Sequence, residues 1–102
     1  MSDFKSVAKK ADIPVGSGKT VQIDGTPVAV FNVDGNFYVV DNTCVHQGGP
    51  LGEGTLDGSV VTCPWHGWQY DVKTGVNTSN PQAKVKSYPI KIEGDDILIS
   101  LG

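Results

Sequence analysis

The sequence predicts an all-β fold, and three observations support that prediction. Short apolar segments alternate with polar residues at a period of two, and Asp-Gly pairs separate several of them. Thirteen glycines and six prolines disfavour long helices. No stretch shows the 3.6-residue apolar spacing of an amphipathic helix. We therefore expect antiparallel strands joined by short turns, arranged as a β-sandwich or barrel.

The first group of strands is expected to form a three-stranded meander. Segments 21–23 and 27–33 flank Asp24-Gly25, and segment 37–40 follows Asp34-Gly35. Asp-Gly suits the two-residue turns that join neighbouring antiparallel strands. The aromatic and branched residues of these strands are expected in the core or half-buried beside it.

The second group contains two strands near the end of the chain, at 85–92 and 97–101, joined by Glu93-Gly94-Asp95. Between the two groups lies an insertion in which 60–63 and 68–72 can form short strands. At 102 residues the chain has the length of one domain. We expect base strands at about 1–42 and 82–102, with a small inserted lobe at about 43–81.

Two short motifs in this insertion contain the only cysteines and histidines of the chain. They are Cys44-Val45-His46 and Cys63-Pro64-Trp65-His66, separated by the sixteen residues 47–62. Together they offer a metal two thiolates and two imidazoles. A mononuclear zinc site can use this donor set, but it usually takes both cysteines from one motif and both histidines from the other. The mixed motifs suit a binuclear cluster with one iron held by sulfur and the other by nitrogen. A disulfide with ordinary surface histidines, and a structural zinc site, remain as alternatives.

The pattern C-x-H followed by C-x-x-H resembles that of the Rieske 2Fe-2S proteins. Gly48, Pro50-Leu51 and the run from Cys63 through Trp65, Gly67, Trp68 and Tyr70 to Asp71 also match that family. The resemblance covers essentially the whole chain and implies a Rieske-like β-sandwich or barrel base with a cluster-binding lobe. It implies that Cys44 and Cys63 ligate one iron of a single 2Fe-2S cluster, and that His46 and His66 ligate the other.

The resemblance also places several further residues around the cluster. Glycines there are expected to let the backbone pass close to it, a third loop with Asn80-Pro81 to cover it, and the tryptophans to shield it or to form an apolar docking surface. For Trp68 a core position is an equally good expectation. The expected neighbours of the cluster are Gln47, Gly48, Gly49, Trp65, Gly67, Trp68, Tyr70 and Pro81.

The same resemblance indicates a reduction potential at the low end of the Rieske range. Rieske proteins of quinol-oxidising complexes have two extra cysteines and a serine that bonds a bridging sulfide, and the matching positions here are Gly49, Trp65 and Trp68. Fewer hydrogen bonds to sulfur stabilise the reduced cluster less. Tyr70, which keeps the position of a phenol that bonds a ligand sulfur in the high-potential proteins, acts in the opposite direction.

The expected function is one-electron transfer without a substrate site. No histidine is left for a mononuclear iron triad, and the sequence has no nucleotide-binding motif. The chain resembles the ferredoxin component of bacterial aromatic-ring dioxygenase systems, which implies transient docking to a flavin-containing, NAD(P)H-dependent reductase and to a terminal oxygenase. A small subunit of a nitrite reductase system, or a ferredoxin of another oxygenase, is the alternative.

Charge and hydropathy limit the other partners. The net charge is −3, the chain has no arginine, and no lysine lies between Lys19 and Lys73. This composition disfavours nucleic acid and predicts a negative lobe that suits a basic partner surface, although the Asp-Gly carboxylates also have a plain role in turns. No segment approaches the apolar length of a membrane span or a signal peptide. We expect a cytoplasmic monomer with no membrane contact, since two metal-ligating thiolates fit a reducing compartment.

Overall fold

The computed structural model describes residues 4–43, 50–65, 67–80 and 82–100. Across these ranges the chain forms nine β-strands and two short 3-10 turns, at Lys10–Asp12 and Leu51–Glu53, and no α-helix. None of the described helical turns is long and apolar enough to cross a membrane. The strands are β1 Lys5–Lys9, β2 Gly18–Ile23, β3 Thr26–Val33, β4 Asn36–Asp41, β5 Thr55–Asp57, β6 Val60–Thr62, β7 Gln69–Asp71, β8 Ile90–Glu93 and β9 Asp96–Ile99.

These strands form three antiparallel sheets of three strands each within the described ranges. The central sheet has the order β2-β3-β4, the second sheet β1-β9-β8, and the third β5-β6-β7. The third sheet uses only residues between Thr55 and Asp71. The expected all-β class with antiparallel pairing is confirmed.

Strand β3 is buried on both of its faces, which explains its nearly continuous apolar sequence. Val28 and Val30 pack into one core with Ile97 and Ile99 of β9. Phe31 and its neighbours on the opposite face pack into a second core. Successive side chains of a strand point to opposite faces, so β3 lies between two layers. The second core contains Ala29, Phe31, Val33, Val40, Leu51, Val61, Cys63, Tyr70, Val72 and Val85.

The hairpin turns of the central sheet follow the sequence prediction. Asp24 and Gly25 have φ angles of 50° and 80°, and Asp34 and Gly35 have φ angles of 53° and 91°. Two consecutive positive φ values are the requirement of a type I′ turn. The Asp24 carboxylate also accepts a hydrogen bond from the Lys5 ammonium at 2.5 Å. The positive φ angles show the backbone role of Asp24 and Asp34 in these turns directly.

The prediction of one strand over 85–92 is wrong in its first half, since β8 covers only Ile90–Glu93. Upstream of β8 the chain crosses between layers: the Val85 N–H donates to Gly75 O at 2.8 Å, and the Tyr88 N–H donates to Val39 O at 3.0 Å. Pro89 has no N–H to extend a ladder between these segments. Strands β1 and β5 have no counterpart in the sequence prediction.

Asp41, at the end of β4, joins the central sheet to this crossing segment. Its backbone N–H donates to Lys86 O at 2.8 Å, and its carboxylate accepts a short hydrogen bond from the Tyr88 hydroxyl. The Lys86 ammonium lies 5.1 Å from the centre of the Tyr88 ring. Burial, with the hydrogen bond to Asp41 and the charge of that carboxylate, raises the pKa of Tyr88 to about 12.

This arrangement predicts a pH-dependent loss of stability that requires Tyr88. The folded protein favours the neutral phenol, so its contribution is fully present below the ordinary tyrosine pKa of 10.0 and is lost as pH rises toward about 12. Across that window the free energy of unfolding should fall more steeply with pH in the wild type than in Tyr88→Phe. Denaturant unfolding at a series of pH values measures both slopes, with Tyr38→Phe as the control for removing another phenol. Parallel slopes for wild type and Tyr88→Phe would contradict the assignment.

Candidate metal centre

Cys63 is the predicted ligand that lies within the described residues, and the fold turns its side chain inward. It follows directly after β6, and its N–H donates to Trp68 O at 2.7 Å. The residue is 1% exposed and belongs to the core that contains Tyr70 and Val61. A small sulfur-bearing side chain is thus held at a fixed position by backbone pairing and packing.

After Cys63 the chain turns outward at Pro64 and Trp65. Trp65 is 50% exposed, and its backbone N–H donates to the Cys63 Sγ at 3.4 Å. Gly67 has a φ of +73°, and a Cβ there would meet no described protein atom within 4 Å. Gly67 is therefore required by its left-handed backbone. The expected passage of this backbone close to the cluster stays a prediction.

Beyond the turn the chain returns to the core. Trp68 is partly buried against the core that contains Cys63, and Tyr70 on β7 is fully buried in it. Tyr70 stands opposite Val61 in the pairing of β6 with β7. The expectation of a core position for Trp68 is therefore met.

A third loop lies beside this turn and is closed by a buried asparagine. The Asn77 Oδ1 accepts hydrogen bonds from the backbone N–H groups of Ser79 and Asn80, at 2.8 and 2.9 Å. The Asn77 N–H donates to Ala83 O at 2.9 Å, and Thr78 N–H donates to Gln69 O at 3.0 Å. Asn77 is 4% exposed. The loop is thereby held against β7.

A cleft of about 300 Å³ separates the turn after Cys63 from this third loop. Its lining combines one aromatic ring with amides and a hydroxyl. The residues that line it are Gly67, Trp68, Gln69, Asn77, Ser79 and Asn80.

The remaining predicted site residues lie outside the described ranges, although the ends of the first ligand loop are described. Thr43 and Pro50 form an antiparallel bridge. Leu51, which follows, is fully buried in the same core as Cys63. Within the described ranges no three His, Cys, Asp or Glu side chains group together. The residues outside them are Cys44, His46, Gln47, Gly48, Gly49, His66 and Pro81.

Two residues that the sequence prediction did not single out contribute to the loops of this site. Asn77 closes the third loop, and Asn42, just before residues 44–49, accepts a hydrogen bond from the Gly52 N–H, just after them. Asparagine is a common loop residue because its side chain bonds nearby backbone groups. The signal in the sequence was the position of Asn42 two residues before the first cysteine.

The described residues fit a 2Fe-2S cluster of the kind that the sequence resembles. A thiolate ligand needs a fixed, shielded sulfur and gains from N–H donors directed at it. The burial of Cys63 and the Trp65 N–H provide these conditions. The donor set of the two motifs, two cysteines and two histidines, is the set that Rieske ligation uses.

Comparison with known proteins agrees with this site and fold. Residues 3–89 match the family model of the Rieske [2Fe-2S] domain. The chain is 40% identical over 98 residues to the biphenyl dioxygenase ferredoxin subunit of Pseudomonas sp. (strain KKS102), covering 94% of this chain and 90% of that protein. The structure of a Sphingomonas yanoikuyae B1 ferredoxin matches with a TM-score of 0.89 and 32% identity, covering 98% of this chain and all of that one (100%). A chain from the complex of reduced oxygenase and oxidized ferredoxin in carbazole 1,9a-dioxygenase matches with a TM-score of 0.87 and 31% identity, covering 95% of this chain and 92% of that one.

The fold and the comparisons define a small β-sheet protein of the class that carries a metal cluster. The chain belongs to the Rieske [2Fe-2S] family. It is a Rieske-type ferredoxin, an electron carrier with one 2Fe-2S cluster, and not a catalytic subunit. Membership of this family supports a 2Fe-2S cluster over the structural zinc and disulfide alternatives.

Two glycines allow the packing at the base of the third loop to be tested. Gly75 has a φ of +82°, and a Cβ there would overlap the carbonyl oxygen of Val85. Gly58, in the β5–β6 turn, has a φ of +61° but open space around it. Gly58→Ala should cost roughly 1–2 kcal/mol from backbone strain alone. Gly75→Ala should cost a further 1–3 kcal/mol, roughly, because the loop must also shift. Thermal unfolding of both variants measures the difference, and equal losses would show that the Gly75–Val85 contact has no energetic weight.

Proposed function

We propose that this chain carries single electrons from a flavin-containing, NAD(P)H-dependent reductase to the terminal oxygenase of an aromatic-ring dioxygenase system. The observation that supports this most directly is its similarity along nearly the full length to the biphenyl dioxygenase ferredoxin subunit. The complex of oxygenase and ferredoxin among the similar structures supports oxygenase as one docking partner. The reductase is inferred from the need for an electron source.

We propose that Cys44 and Cys63 hold one iron of the cluster and His46 and His66 hold the other. When bound, the cluster accepts and returns one electron. Cys63 is the best supported ligand, because its sulfur is buried and receives a backbone N–H. His66, one residue after the exposed Trp65, is well placed in the sequence to lie at the surface where a partner docks.

The remaining expectations belong to the same proposal. We propose one domain in which the lobe at about 43–81 binds the cluster and the base strands, at about 1–42 and 82–102, support it. The protein is a monomer, because a carrier must present the same surface to two partners in turn. It functions in the cytoplasm, where a reducing environment keeps both cysteines available as thiolates.

The absence of extra hydrogen-bond donors at Gly49, Trp65 and Trp68 predicts a low reduction potential. The ligand assignment predicts a still lower potential in His66→Cys. Two thiolates and two neutral imidazoles leave the oxidised cluster neutral, and a third thiolate adds negative charge that opposes reduction. The wild-type midpoint should lie near the lower end of the Rieske range of about −150 to +300 mV, and His66→Cys should lie below it. Redox titration followed by visible absorbance and electron paramagnetic resonance (EPR) measures both. Ser79→Cys adds a thiol on the third loop without replacing a ligand and should leave the midpoint unchanged. A wild-type midpoint well above zero, or no change in His66→Cys, would contradict the prediction.

Because Trp65 is exposed, we predict that removing its side chain weakens docking to the partner protein and leaves the cluster unaltered. A half-exposed tryptophan beside a ligand has the character of an interface anchor, and removing such an anchor typically costs about 2 kcal/mol or more. Trp65→Ala should weaken association with the terminal oxygenase by roughly 30-fold while keeping the wild-type visible spectrum. Reconstitution with the reductase and terminal oxygenase of the biphenyl dioxygenase system measures the dependence of electron transfer on ferredoxin concentration. Val15→Ala removes another apolar side chain, 65% exposed, and should behave as wild type. If both variants transfer electrons like the wild type, Trp65 is not part of the docking surface.

A further inference from the structure

Asn42 has a buried side-chain amide that joins three segments of the chain. Asn42 is 8% exposed and follows directly after β4. Its Oδ1 accepts a hydrogen bond from the Thr20 hydroxyl of β2 at 2.9 Å and another from the Gly52 N–H at 2.8 Å. One oxygen therefore links β2, the end of β4 and the 3-10 turn Leu51–Glu53.

The backbone around Asn42 closes the same junction. Its carbonyl oxygen accepts a hydrogen bond from the Leu51 N–H at 2.7 Å, and Thr43 pairs with Pro50 as an antiparallel bridge. The chain that leaves the sheet at Thr43 and returns at Pro50 is thus paired at its two ends. Residues 44–49 form the segment between these ends, which contains Cys44 and His46.

The junction is also packed without spare room. A Cβ on Gly52 would overlap the Thr20 hydroxyl and lie 2.7 Å from the Thr20 nitrogen and 2.9 Å from the Asn42 Oδ1. Leu51 is fully buried in the core that contains Cys63. Two hydrogen bonds to one buried oxygen at such a site act cooperatively with packing, and losing the acceptor leaves buried donors unsatisfied.

We propose that Asn42 is a positioning residue for the cluster: it fixes the ends of the 44–49 loop so that Cys44 and His46 are held in place relative to Cys63. The proposal rests on the ligand assignment under the proposed function. Asn42 acts through the loop and is not itself a ligand. A loop fixed at both ends loses less conformational entropy when its ligands bind metal. The hydrogen bonds of Asn42, which we call the Asn42 clamp, therefore slow ligand dissociation.

The structure provides a matched control that separates this role from general stability. Asn32 is also a buried asparagine, 5% exposed, and its Oδ1 accepts the Gly35 N–H at 2.8 Å. Its Nδ2 donates to Ile13 O at 2.8 Å. Asn32 is therefore a second buried asparagine that fixes backbone groups, but it lies next to the β3–β4 hairpin turn, which holds no predicted ligand.

The experiment measures cluster loss from the loaded protein in the presence of an iron chelator. Asn42→Ala and Asn32→Ala are compared at temperatures where circular dichroism shows both to be folded, and EPR of the reduced proteins records the environment of the cluster. Asn42→Ala should lose its visible absorbance about tenfold faster than wild type and broaden the EPR signal. Asn42→Asp, which keeps the acceptor oxygen, should restore most of the difference. Asn32→Ala should lower the unfolding temperature but bleach at the wild-type rate. If the rate of cluster loss in both variants depends only on how far the unfolding temperature has fallen, the proposal is wrong.

A milder pair of substitutions decides the matter if Asn42→Ala does not fold. Thr20→Val removes one of the two hydrogen bonds with little change of shape, whereas Thr20→Ser keeps the hydroxyl. Thr20→Val should bleach severalfold faster than Thr20→Ser, and equal rates would refute the clamp. Cys44→Ala and His46→Ala test the ligand assignment separately. If those variants keep a wild-type cluster, the ligand assignment is wrong. If they lose the cluster while the Asn42 and Thr20 variants bleach at the wild-type rate, only the role of Asn42 is wrong.

Discussion

The burial of β3 on both faces is the constraint on which the rest of this structure depends. Val28 and Val30 face one core, and Phe31 with its neighbours faces the other. A shift of one residue in the register of β3 would exchange these two sets. Such a shift would place a phenylalanine where valines meet β9 and would leave small side chains toward the core of Cys63. The position of the cysteine sulfur therefore depends on the pairing of β3, whose Ala29, Phe31 and Val33 belong to the same core.

The same sheet also determines where the loops of the metal centre begin. Strand β4 pairs with β3 throughout Asn36–Asp41, and the next residue, Asn42, bonds β2 and the turn after the first ligand loop. Asp41 meanwhile attaches the crossing segment through Lys86 and Tyr88. Two adjacent residues at the end of one strand thus connect the central sheet to two separate parts of the molecule. A polar residue at each of these positions is required because both fix backbone groups that packing alone cannot orient.

The parts of this fold that the sequence predicted are those where local chemistry and burial agree. The Asp-Gly turns and the apolar strands β2, β3 and β4 follow from rules that act over a few residues. Strand β1, with the sequence KSVAK, could not be recognised, because the strand that pairs with it, β9, comes from the far end of the chain. The alternation of apolar and polar residues in 85–89 predicted a strand. In the structure the hydrogen bonds of this segment go to separate parts of the fold. For the site, the ligand motifs were evident from residue type and spacing, whereas Asn42 and Asn77 act through contacts that only the folded chain brings together.

The course of the chain from Cys63 to Trp65 explains how a ligand can be shielded while its surroundings remain accessible. Cys63 is 1% exposed and Trp65 is 50% exposed, although only Pro64 separates them. Pairing of Cys63 N–H with Trp68 O closes the turn, and its described residues Pro64, Trp65 and Gly67 are exposed. An electron carrier needs this arrangement, because rigid, buried sulfur ligands limit the structural change on reduction, whereas a partner must approach closely from outside. The Trp65 N–H, directed at the Cys63 sulfur, connects the two requirements, since the residue that contributes the exposed ring also stabilises negative charge on the buried thiolate.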